Sequence, residues 1–130
     1  MKKVLITLFA LAVMLYVAPA AHAQRGWVYL GQAHVDGQHD HDNIEVGANA
    51  GRYRGIQLRV NNGPIEFDHV VVHYGNGEPE TLQVRQVIRA GGRSRVIPLQ
   101  GDRIVQSLEL WYSKANPASG KPEVNLWGRR

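Results

Sequence analysis

Within nine residues, His34-Val35-Asp36-Gly37-Gln38-His39-Asp40-His41-Asp42 gathers three imidazoles and three carboxylates around one glycine. Imidazole nitrogens suit zinc, copper or nickel, while carboxylates suit calcium or orient a ligating imidazole from behind. In an extended chain, side chains two apart share a face, so His39 and His41 converge on one ion and Asp40 and Asp42 on another. Gly37 lets the chain fold back, which makes His34, Asp36, His39 and His41 the candidate metal set and a divalent ion the one candidate cofactor. The spacing matches neither the helical zinc motif nor the calcium loop. A competing reading needs no metal: Asp40 or Asp42 caps a turn through backbone N–H groups and pairs with Arg52 or Arg54.

A second group is basic. Arg85, Arg89, Arg93 and Arg95 run into and out of Gly91-Gly92, with Arg103 beyond. Were the flanking runs a hairpin, several guanidinium groups would share one outward face and hold a phosphate, sulfate or uronate through paired N–H bonds. The same charges also suit a soluble sheet edge. Catalytic signals are sparse. Ser94, Ser107, Ser113 and Ser119 stand in no nucleophile elbow, and no glycine-rich loop leads from strand to helix. Asp68 and His69 are an acid and a base, but neighbours on a regular strand point to opposite faces. His69 and His73 share parity with Ile65, Phe67 and Val71, which reads as core or boundary.

Positioning any of these groups requires strands. Glycines and prolines divide the chain beyond residue 23 into short β-branched or apolar runs, the pattern of an all-β sandwich or barrel. The expected strands are Trp27–Val35, Asn43–Val46, Arg52–Val60, Ile65–Tyr74, Thr81–Arg89, Arg95–Leu99, Ile104–Tyr112 and Glu123–Trp127. Ile56, Leu58 and Val60 alternate with Gln57 and Arg59, and Val124 and Leu126 flank Asn125, so each strand has one apolar face. Val70-Val71-Val72 suggests a strand at the centre of the core. Leu82 and Val84 sit on one parity and Val87 on the other, which implies a bulge or a two-sided strand. Asn61-Asn62-Gly63-Pro64, Gly75-Asn76-Gly77, Ala90-Gly91-Gly92 and Gln100-Gly101-Asp102 supply turn residues. Trp27, Trp111 and Trp127 are expected to include core anchors, the alternative being stacking platforms for a sugar ring. The predicted fold is a single antiparallel, jelly-roll-like β-sandwich of about eight strands.

Ahead of it, Lys2-Lys3, the apolar stretch Val4–Ala18 and Ala21-His22-Ala23 have the layout of a secretory signal peptide cleaved after Ala23. The expected organisation is a leader over 1–23 and one domain over 24–130, with no permanent membrane span. Losing Lys2 and Lys3 leaves thirteen basic against eleven acidic residues, so the formal net charge drops from +4 to +2. That is too mild to call for nucleic acid. The chain has no Cys, which excludes disulfides, thiolate metal sites and a Cys nucleophile.

Asp40-His41-Asp42-Asn43-Ile44, Val72-His73-Tyr74-Gly75-Asn76-Gly77-Glu78, Ala90-Gly91-Gly92, Leu108-Glu109-Leu110-Trp111-Tyr112 and Leu126-Trp127-Gly128-Arg129 resemble phrases of a family of small exported bacterial proteins of unknown function. The resemblance covers nearly all of the chain beyond the leader. It implies a bacterial, secreted β-protein and transfers no active site. The leading functional expectation is a noncatalytic periplasmic or secreted protein of the cell envelope that binds or scaffolds an anionic glycan or a protein partner. Its ligand residues would be Arg85, Arg89, Arg93 and Arg95. A metal-binding protein using the 34–42 cluster is the alternative, and a hydrolase of unnamed type the third reading.

Overall fold

The computed structural model describes residues 26–35, 41–47, 49–75, 77–116 and 120–130. The expected leader lies outside these residues, as do Asp36 and His39. Seven strands follow in chain order: β1 (Trp27–His34), β2 (His41–Glu45), β3 (Arg52–Asn61), β4 (Ile65–Tyr74), β5 (Glu80–Ile88), β6 (Ile97–Lys114) and β7 (Glu123–Arg129). No helix occurs among the described residues, so none is long and apolar enough to cross a membrane.

All pairings are antiparallel, in the order β1-β7-β3-β6-β4-β5, with β2 also on β6. The 18-residue β6 joins the two halves of the sheet. Its first part, Ile97 to Ile104, pairs with β3 and belongs to a first half-sheet, β1-β7-β3-β6. Its second part, Val105 to Lys114, pairs with β4 and, over Ser107 to Trp111, with β2, giving a second half-sheet, β2-β6-β4-β5. The expected alternation supplies one core from both halves. Ile56, Leu58, Val60, Val124 and Leu126 come from the first, and Ile65, Phe67, Val70, Val72, Leu108 and Leu110 from the second, all of them buried. The all-β sandwich read from the sequence is thus the architecture observed.

Two local departures from the expected strands matter for the site. Arg95–Leu99 and Ile104–Tyr112 merge into β6, because Gln100-Gly101-Asp102 makes no hairpin. Gly101, at φ 84°, lies in a segment that loops out between the pairs Pro98–Gly55 and Arg103–Tyr53. In β4, the register shifts between Phe67 and His69 against both neighbours, leaving Asp68 as an extra residue opposite β6. A bulge inverts the parity beyond it. Ile65 and Phe67 point inward, then Val70, Val72 and Tyr74 do, so His69, Val71 and His73 face outward rather than into the core.

The bulge anticipated in β5 falls opposite that in β4, and Arg85 adopts a left-handed φ of 43° there. Arg95 closes this irregularity from outside the strand. Its Nη1 donates to the Val84 carbonyl at 2.9 Å and its Nη2 to the Gln83 carbonyl at 2.8 Å. A hydrogen bond from a charged donor contributes about 1.5–3 kcal/mol. One of these two carbonyls is exposed enough to turn to water. Arg95→Leu is therefore expected to cost about 2 kcal/mol, read as a lowered urea midpoint with an unchanged slope.

Candidate ligand-binding faces

Arg59, Asn61, Glu123, Asn125 and Trp127 lie on the outer face of the first half-sheet because they alternate with the buried residues of β3 and β7. Register then sets them side by side, pairing Arg59 with Asn125, Asn61 with Glu123 and Gln57 with Trp127. From β1, Tyr29 stands beside Trp127 and His34 beside Glu123. Arg93 arrives from elsewhere in the chain. After β5 the backbone crosses to the free side of β3, where Gly91 N donates to Val60 O at 2.7 Å and Ser94 N to Leu58 O at 2.8 Å. The Arg93 backbone forms a bridge with Arg59. Gly91, at φ 81°, makes this turn possible.

The result is an open cleft of about 320 Å³ lined by Arg59, Asn61, Arg93, Glu123, Asn125 and Trp127 with the Gly91-Gly92 backbone. Arg59 is held in place. Its guanidinium carbon lies 4.3 Å from the centre of the Trp127 ring and 5.6 Å from that of Trp27, and its Nε donates to Gln57 Oε1 at 3.0 Å. Burial, and next the Arg93 charge, lower the Arg59 pKa, although guanidinium stays protonated at any ordinary pH. Glu123 stands on the other side, with His34 Nε2 at 3.4 Å. It accepts from Asn125 Nδ2 at 3.3 Å and Asn61 Nδ2 at 3.4 Å. The cleft thus presents two adjacent guanidinium groups, two carboxamides and an indole. That set, with the Glu123 carboxylate at its far side, offers charged donors, amide groups and an aromatic face to a ligand.

The outer face of the second half-sheet has a different character. Trp111 is flanked by His41 on β2 and His69 on β4, whose rings stack on it with centroids at 4.2 and 4.5 Å. Because the two strands lie on opposite sides of β6, both faces of the indole are covered and only its edge is open. One row along, Glu109 accepts from His41 Nε2 at 3.1 Å and is in hydrogen-bond contact with His73 Nε2. The His73 contact foremost, with the His41 contact adding to it, holds the Glu109 carboxyl below the usual glutamate range against the opposing effect of burial. A carboxylate with a depressed native pKa contributes stability above its unfolded value, near 4.3, and loses it as the pH falls through the native value. Glu109→Gln should accordingly lower the urea midpoint near pH 5, and the difference between the two proteins should shrink as the pH falls below about 4.

The four arginines grouped by sequence do not share a patch, because β5 pairs with β4 and not with the segment after Gly92. Arg93 joins Arg59, Arg95 seals the β5 bulge, Arg85 lines a cleft on the second half-sheet, and Arg89 is exposed at the start of the turn. Of the candidate metal set, His34 belongs to Glu123 on one half-sheet and His41 to Trp111 and Glu109 on the other. Asp36 and His39 lie outside the described residues. Among the described residues no three His, Asp or Glu side chains stand together as metal ligands. Asp42 accepts from the Asn43 amide at 2.8 Å, while Arg52 donates instead to the Asp102 carbonyl. All three tryptophans are half-buried on outer faces rather than in the core. The sequence reading missed Arg59, Asn61 and Glu123, although Arg59 and Asn125 both stood out as the polar partners in alternating runs. It also separated Asp68 from His69. The β4 bulge brings Asp68 Oδ2 within 2.6 Å of His69 Nδ1.

No curated protein matches the chain. Among solved structures, AlgX of Pseudomonas aeruginosa is similar with a TM-score of 0.52 and 17% identity, over 79% of this chain and 26% of that one. The chain therefore spans about a quarter of that protein's length, and the likeness is one of fold. A carbohydrate-binding module of family 29 aligns over 79% of this chain and 77% of its own, with 10% identity and a TM-score of 0.39. The expected resemblance to a family without an assigned role is matched by a domain of unknown function, DUF2541, over residues 6–128, and the chain belongs to that family.

Proposed function

We propose that this protein is a noncatalytic binding protein of the bacterial cell envelope that takes an acidic saccharide in the cleft between β3, β7 and the Gly91-Gly92 turn. The observation that carries this reading is the pair Arg59 and Arg93, set side by side by the backbone with Arg59 stacked on Trp127. Like charges held together repel, and an anion bridging them relieves that repulsion while gaining charge-assisted hydrogen bonds. Asn61 and Asn125 supply amide donors and acceptors for ring hydroxyls. At about 320 Å³ the cleft suits one or two sugar rings. The envelope location follows from the leader expected over residues 1–23.

Calorimetric titration with a uronate oligosaccharide and a neutral oligosaccharide of equal length tests the proposal. The acidic sugar should bind at least tenfold more tightly, and its advantage should shrink as salt is raised and screens the charges. Equal affinity for both sugars, or no binding of either, overturns it.

A further inference from the structure

We propose that the cleft at the paired bulges of β4 and β5 is a second binding site, for a small zwitterionic ligand: an amino acid, or a short peptide with free ends. It lies on the outer face of the second half-sheet, away from the Arg59–Arg93 cleft, and its argument is independent of the saccharide reading.

The cleft has a volume of about 600 Å³, within the range of small-molecule sites, and its walls include Glu66, Asp68, Arg85, Val87, Trp111 and Ser113. Its shape is a product of the two irregularities. Asp68 is the extra residue of β4, so its carboxylate stands on the outer face beside His69 instead of pointing away from it. Arg85 occupies a left-handed conformation that is strained for a non-glycine residue. Two features keep it there: Arg95 holds the Gln83 and Val84 carbonyls, and Arg85 Nε donates to Gln83 Oε1 at 3.0 Å. The Arg85 guanidinium is thereby tied down at Nε in a residue that lines the cleft, and its terminal nitrogens supply further donors.

Opposite charges consequently line one cleft on neighbouring strands, carboxylates on β4 and a guanidinium on β5. Strands are about 4.8 Å apart, comparable to the distance between the charged ends of a very short peptide. A neutral ligand would have to strip water from three charged groups without an opposite charge in return, whereas a zwitterion matches both signs. Its ammonium is received by Glu66 and Asp68 and its carboxylate by Arg85 in the two-pronged geometry guanidinium favours. Between those ends the side chains rest on Val87, which is 54% exposed, and the open edge of Trp111.

The test is calorimetry with the dipeptide Ala-Leu, its N-acetylated form, its C-terminal amide and free leucine. The unblocked peptide should bind one molecule per chain, and each block should weaken binding at least tenfold. In Arg85→Gln the amide and the unblocked peptide should bind alike, while the acetylated form should still lose affinity. In Glu66→Gln with Asp68→Asn the pattern should reverse. Comparable binding by free leucine identifies single amino acids as the ligand, and its absence identifies peptides. Failure of the unblocked peptide and leucine to bind, or indifference to blocking in the wild-type chain, overturns the proposal. Circular dichroism of each variant confirms that a changed preference reflects the site and not the fold.

Discussion

Alanine at Arg59 and Arg93 together is expected to weaken acidic-saccharide binding by more than about 100-fold. Each charge-assisted hydrogen bond to a bound anion contributes about 1.5–3 kcal/mol, and 1.4 kcal/mol is tenfold in affinity. The two single variants should differ in kind. Arg93 is exposed, so Arg93→Ala should reduce affinity while leaving stability within about 0.5 kcal/mol. Arg59 is half-buried between Trp27 and Trp127, so Arg59→Ala removes both a ligand contact and the cation that packs on those rings. It should lower affinity and the urea midpoint together. Arg59→Lys separates the two losses, because an ammonium keeps the charge but not the flat stacking or the paired donors. Calorimetry and urea unfolding on the same preparations give both readouts. If Arg93→Ala left acidic-sugar affinity unchanged, the cleft would not be the anion site.

Phe67→Ala should produce the largest loss of stability, about 3–5 kcal/mol. Phe67 is 1% exposed and sits where the β4 bulge begins, paired with Tyr112 on β6 and Gln86 on β5. Its side chain belongs to the shared core, and the residue also borders the larger cleft. A deficit of that size is a large share of the total stability of a small domain, which runs to about 5–15 kcal/mol. Urea unfolding followed by tryptophan fluorescence measures it. A cost under about 1 kcal/mol would mean that the core collapses around the missing ring and that the two half-sheets are less tightly packed than their burial implies.

The parts of this fold legible in advance were those governed by alternation along a single strand. Ile56, Leu58 and Val60 point one way because every second residue does, and the same rule exposed Asn125 between Val124 and Leu126. Pairing between distant strands is not written in any local pattern. Arg85 and Arg95 flank a glycine turn and carry the same charge, which invites a hairpin, but β5 pairs back onto β4 while the chain beyond Gly92 crosses to β3. Arg93 thus joins a residue 34 positions away in sequence, Arg59, and loses its supposed companions. Single-residue insertions had a comparable effect. One extra residue at Asp68 reverses the facing of His69 and His73, turning two expected core histidines outward, His69 onto the Trp111 ring and His73 onto the Glu109 carboxylate. The bulge expected in β5 is present, but Val87, whose parity suggested it, is 54% exposed, while Val84 and Ile88 keep one buried parity across it. The bulge in β4 was hidden by Val70-Val71-Val72, where either parity presents an apolar side chain.

The continuity of β6 has a mechanical consequence. A single strand supplies the hydrogen-bonding partner for β3 in one half and for β2 and β4 in the other, so neither layer can peel away without severing a ladder of its neighbour. Separate opening of the layers is thereby disfavoured, and the backbone amides around Val105 are expected to exchange with solvent only when the whole domain comes apart, which native-state hydrogen exchange would show. The two clefts mounted on one such spine keep a constant separation and orientation, so ligands held at both proposed sites would be coupled as on a rigid bracket.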